Sequence, residues 1–162
     1  MGEHKLLLLA ADLERELAQH LELVDEARAA VSATTRPPDR LRLRGIASIL
    51  HDFYTGLERM LERIAVEMDG ELPAGHDWHA ALLDRMATPV ESVRPAVLST
   101  ALAASLRPYL RFRHLFRNIY GSDLRWDRCR ELVAGLDPVS STLAAEVAQF
   151  VSILRDLHQR CA

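Results

Sequence analysis

The spacing of apolar side chains between residues 39 and 69 most constrains what this chain can fold into. Leu43, Ile46, Leu50, Phe53, Leu57, Met60 and Ile64 step alternately by three and four. That period keeps one stripe of an α-helix apolar along its whole length, as in a helix lying along other helices. Residues 4 to 32 follow the same rule, with Leu6, Leu9, Leu13, Leu17, Leu21, Val24 and Val31 separated by Glu, Arg and Gln. Arg36, Pro37, Pro38 and Asp39 end the first helix, and Asp69 with Gly70 closes the second.

Shorter signals divide the remainder. Trp78 to Met86 reads as a short amphipathic helix with Leu82 and Leu83 on its apolar side, and Pro89 and Pro95 bracket a turn. A third long helix is expected from near Pro95 to Gly121, either kinked or restarted at Pro108. Asp127 to Ala134 reads as a short helix ended by Gly135. Asp137 and Pro138 then read as the N-cap and first residue of a last helix carrying Leu143, Val147, Phe150, Leu154 and Leu157. With no strand pattern or repeat, the expectation is an all-α bundle of three to four long helices plus short connecting helices, one domain over residues 1–162.

Composition narrows the classes of function. A net charge of −3 argues against a protein that coats nucleic acid non-specifically, although a local basic patch remains compatible with it. Cys129 and Cys161 suit neither a disulfide framework nor a zinc site. The leucine run after Lys5 imitates a signal peptide, but Asp12, Glu14, Arg15 and Glu16 cut it short. A cytoplasmic chain with no membrane span is expected. No Gly-rich phosphate loop, G-x-S-x-G or H-E-x-x-H is present, so neither cofactor nor metal is expected.

The chemistry concentrates between Leu106 and Gly121, where Arg107, Arg111, Arg113, Arg117, His114, Tyr109 and Tyr120 share one helix. At about 100° per residue, Leu102, Leu106, Tyr109, Phe116 and Tyr120 form an apolar seam with Arg113 in its middle. A buried guanidinium requires a carboxylate, an anion or a second subunit to meet it. Arg107, Arg111, His114 and Asn118 fall on a separate polar stripe. There the arginines can bind a phosphodiester and the imidazole can move a proton. Against this stands the plainer reading of a solvated basic face. Two other groups carry weaker signals: His51, Tyr54 and Glu58 face either a site or solvent, and His76 and His79 flank Trp78 at the spacing of two metal ligands without a third.

Four segments in order carry a family resemblance: R-x-I-A-x-I-L-H-D-F-Y-T-G-x-E-R (Arg44 to Arg59), W-H-x-x-L-L-x-x-M (Trp78 to Met86), R-P-x-x-L (Arg94 to Leu98) and Y-L-R-F-R-H-L-F-R-N-I-Y-G (Tyr109 to Gly121). Together they resemble the HepT-like branch of the HEPN superfamily. The resemblance implies a small all-α protein, commonly a homodimer. It further implies an RNA-cutting toxin that works without metal, paired with a nucleotidyltransferase antitoxin that can AMPylate a tyrosine.

The signature of the family is Arg, a polar residue, then His after four to six intervening positions, often followed by x-Tyr. Carried over, Arg113 is the signature arginine, His114 the polar residue behind it and Tyr120 the modifiable tyrosine. The signature histidine falls at Asn118, which hydrogen-bonds but cannot shuttle a proton. A register from Arg107 to His114 keeps the spacing but has Pro108 where a polar residue belongs, and one from Arg117 meets no histidine at 122 to 124. The resemblance thus makes Arg113, His114, Asn118 and Tyr120 the candidate catalytic set, with Arg107, Arg111 and Arg117 as RNA-phosphate contacts. Asn118 also keeps open a non-catalytic HEPN module that binds a nucleotide or protein.

Overall fold

The computed structural model describes residues 3–32, 36–118 and 124–161. The helices are α1 (Glu3–Ser32), α2 (Arg40–Ile64), α3 (Trp78–Met86), α4 (Thr100–Asn118) and α5 (Trp126–Cys161). Four are long and one short, as the periodicity requires, and no β-strand occurs among the described residues.

Helix α2 packs against each of the other four helices, and its alternating stripe is buried from Ile46 to Ile64, with Leu43 half-buried at its start. Asp39 starts it, its side chain accepting from the Arg42 amide at 2.8 Å. Its end differs from a simple stop: Ala65–Asp69 widens into one π-turn before Gly70, at φ 84°, takes the left-handed conformation. Ion pairs tie the bundle's outer surface, with Arg63 of α2 reaching Asp12 and Glu16 of α1, and Arg155 of α5 reaching Glu14.

The segment between α3 and α4 is fixed by one buried guanidinium. Arg94 forms a bidentate pair with Asp69 at 2.6 and 2.8 Å and also donates to the carbonyls of Arg85, Thr88 and Pro95. Its side chain is fully excluded from solvent, and the number of bonds offsets the cost of burying the charge. The amides of Val97 and Leu98 donate to the Met86 carbonyl. This holds residues 95–98 outside the helix, so α4 begins after Ser99, whose hydroxyl accepts from the Leu102 amide at 3.1 Å, and not near Pro95.

Two expected breaks are absent. Helix α4 runs through Pro108, and α5 runs unbroken through Gly135 and Pro138 instead of dividing into two helices. A proline deprives the carbonyl four residues earlier of its partner. Here those residues are Ala104 and Ala134, both exposed, where water can serve. Asp137 does not cap a new helix: it pairs with Arg28 of α1, and the core row Cys129, Val133, Leu136, Ser140, Leu143, Val147 keeps its phase across the proline. Gly135 ends nothing either, since it lies where the Tyr109 hydroxyl approaches α5.

Candidate functional site

Arg113 lies on the buried side of α4, as its helical phase requires, and a carboxylate meets it. Its Nη2 lies 2.8 Å from Oε1 of Glu58 on α2, and Nε is 3.4 Å from the Thr55 hydroxyl. The second carboxylate oxygen of Glu58 is 2.7 Å from Nδ1 of His79, at the start of α3. One buried acid therefore joins an arginine and a histidine from two other helices. Arg113 Nη1 also comes within 3.5 Å of His79 Nδ1, but a guanidinium only donates and a carboxylate only accepts. The shorter contact decides the tautomer: the proton resides on Nδ1 and is donated to Glu58, leaving Nε2 as the second ring nitrogen. Trp78 lies against the ring, with centroids 3.8 Å apart and planes at 30°.

The sequence placed His51, Tyr54 and Glu58 on one polar face, and the structure separates them. Tyr54 and Glu58 are buried, and burial with the nearby Glu58 charge pushes the Tyr54 phenol well above its ordinary range. His51 is half-exposed beside Asp52, its ring 5.3 Å from that of Phe116. Glu58 is the residue that sequence reasoning undervalued. The available signal was a second row, Tyr54, Glu58, Leu61 and Ala65, which continues the core of α2 with a single acid inside it. Neighbouring Glu62 is half-buried, and burial followed by the Glu58 charge raises its pKa.

The polar stripe of α4 faces a groove of about 400 Å³ between α3 and α4. Arg111, His114 and Asn118 line it from α4, with Leu110 and Leu115, and His76, Asp77, His79 and Ala80 line it from α3 and the residues just before it. Arg107, on the same stripe, pairs with Asp84 of α3. Asn118 donates its amide to the His114 carbonyl at 2.9 Å, one turn back on its own helix. Arg117 is exposed at the last turn of α4, while Tyr120 and Gly121 lie outside the described residues. His76 is exposed beside Asp77, and His79 turns inward to Glu58, so the two imidazoles do not converge as a ligand pair. No cluster of three metal-ligating side chains occurs among the described residues, and no described helix is long and apolar enough to cross a membrane.

The described residues thus form a small all-α bundle with a buried acid joining an arginine and a histidine, and an open groove carrying arginine and imidazole beside it. The HepT-like protein family matches residues 45–154, more than half of the chain, and the chain belongs to that family. Comparison with curated proteins and with solved structures gives no match.

Proposed function

We propose that the chain is a toxin-like HEPN protein that receives single-stranded RNA in the α3–α4 groove and cuts it without a metal ion. In this reading it is a single domain that acts as a homodimer in the cytoplasm and is neutralised by a nucleotidyltransferase antitoxin. The supporting observation is the convergence of Arg111 and His114 from α4 with His79 from α3 around one groove. A guanidinium matches phosphate geometry in two parallel hydrogen bonds, and imidazole is the side chain whose ordinary pKa suits proton transfer near neutrality. Arg113 serves this site indirectly, since its guanidinium is directed at Glu58, so phosphate contacts fall to Arg111 and Arg117. Tyr120, just beyond the last described turn of α4, is the proposed AMPylation site.

The test is direct. Expression should arrest growth, and purified protein should cut single-stranded RNA with EDTA present. His114→Ala should lower the rate by roughly a hundredfold or more, the usual size of a lost general acid or base. A non-catalytic module is the second reading, favoured because Asn118 occupies the signature position and turns its amide to its own helix. Wild type that leaves RNA intact while Asn118→His cuts it would establish that reading.

A further inference from the structure

Building on the ribonuclease reading, we propose that Glu58 and His79 form the proton-accepting dyad of the groove, supplying from α2 and α3 the imidazole that position 118 of α4 lacks. Three observations carry it. His79 lines the groove opposite His114, although its side chain is only 19% exposed. Its Nδ1 is taken by Glu58 at 2.7 Å, so the ring nitrogen left for a substrate is Nε2, which carries a lone pair in the neutral ring. Its ring is fixed twice, by that bond and by Trp78 at 3.8 Å, which limits it to a narrow range of orientations.

The carboxylate behind the ring is built for the task. Glu58 is 3% exposed, and Arg113 occupies its other oxygen, so both carboxylate oxygens are engaged. A carboxylate so held orients the imidazole and stabilises the imidazolium that forms when the ring takes a proton. Glu58 is thus a positioning residue, Arg113 holds Glu58, and His79 is the group that touches substrate.

The chemistry balances with two imidazoles. His79 Nε2 takes the proton of the ribose 2′-hydroxyl as that oxygen bonds to phosphorus. The bond from phosphorus to the 5′-oxygen breaks, its electron pair stays on that oxygen, and the oxygen takes a proton from the His114 imidazolium. The products are a 2′,3′-cyclic phosphate and a 5′-hydroxyl end. His79 is left protonated and His114 neutral, and proton exchange with water restores both. Arg111 neutralises the phosphate throughout.

The experiment uses the full chain, a short single-stranded RNA and EDTA. Expected are a loss of roughly a hundredfold or more in kcat for His79→Ala measured on the folded fraction, partial restoration by added imidazole, and a 15N spectrum of wild type with the His79 proton on Nδ1. His79→Ala that cuts as fast as wild type while His114→Ala does not would overturn the dyad and leave the ribonuclease reading standing. A folded His79→Ala that imidazole does not rescue, or a wild-type His79 proton on Nε2, would also overturn the dyad. Wild type that cuts no RNA would overturn both the dyad and the ribonuclease reading.

Discussion

Arg113 Nη2 stands 2.8 Å from Glu58 Oε1, with the two side chains 9% and 3% exposed, so each charge is the principal compensation for the other. Removing one partner strands the second in a medium that solvates it poorly. Arg113→Ala should therefore cost about 3–5 kcal/mol, whereas Glu58→Leu combined with Arg113→Met should recover most of that loss because no charge remains buried. Urea unfolding midpoints of the two variants, with unchanged slopes, check this. A double variant as unstable as Arg113→Ala would show that packing and not charge sets the cost. Any loss of RNA cutting in Arg113→Ala would have to be measured on the folded fraction alone.

His20 gives a second stability prediction, this time in pH. The ring is buried on α1 against Phe53, centroids 4.3 Å apart, with neither nitrogen hydrogen-bonded, and burial lowers its pKa from 6.5 to about 4. The folded protein keeps the ring neutral down to that value, whereas the unfolded chain takes a proton near 6.5. Protons thus favour the unfolded state between the two values: stability is full above about pH 6.5 and falls as pH drops toward 4. The slope from this residue is about 1.4 kcal/mol per pH unit, with a total of about 3 kcal/mol. His20→Leu should lose less stability than wild type between about pH 7.5 and about pH 4.5 in urea melts. Equal losses would mean that the ring is already protonated or wet in the folded state.

Most of the frame was legible because alternating steps of three and four report burial directly, and α1, α2 and α3 follow them. The errors came where a local breaker was given more weight than the surrounding period. Gly135 and Pro138 read as a stop and a start, yet the row from Val133 through Leu136 and Ser140 to Leu143 continues across both without a shift of phase. The period was the stronger signal, since an exposed helix face tolerates a missing hydrogen bond whereas a broken core row does not. At the site, Arg113 was legible as a buried charge in need of a partner. Glu58 was not, because α2 packs against four other helices and its buried arc is wider than the single stripe used to define it. Which acid meets which base depends on how the helices cross, and no one helix's periodicity contains that.

Gly135 supplies a third prediction. A Cβ at this position would stand 2.9 Å from the Tyr109 hydroxyl, which donates to the Leu132 carbonyl at 2.7 Å. Burial pushes the Tyr109 phenol up to about 12, so it remains a neutral donor throughout the working range. Glycine to alanine inside a helix ordinarily stabilises by up to about 1 kcal/mol, but here the methyl group must displace the anchored ring. Gly135→Ala should cost about 1–3 kcal/mol, the usual size of overpacking, and the cost should shrink in a Tyr109→Phe background. A thermodynamic cycle over the four proteins measures that coupling. Additive effects would place the strain elsewhere than at the hydroxyl.

The arginines of α4 should separate by what already holds them. Arg107 is engaged by Asp84, whereas Arg111 and Arg117 are exposed and form no ion pair among the described residues. A cation that has no partner to leave binds phosphate at lower cost than one that must first part from a carboxylate. In the proposed ribonuclease, RNA affinity should therefore fall more for Arg111→Ala than for Arg107→Ala. Removing one phosphate-binding cation should also make the slope of log affinity against log salt shallower by about 0.7, the single-strand value. Asp84→Asn, which removes the charge that engages Arg107, should strengthen binding and steepen the slope. Fluorescence anisotropy with a short single-stranded RNA across a sodium chloride series reads all three. Equal slopes in wild type and Arg111→Ala would exclude the groove as the phosphate path and leave Arg117, at the end of α4, as the cation that binds RNA.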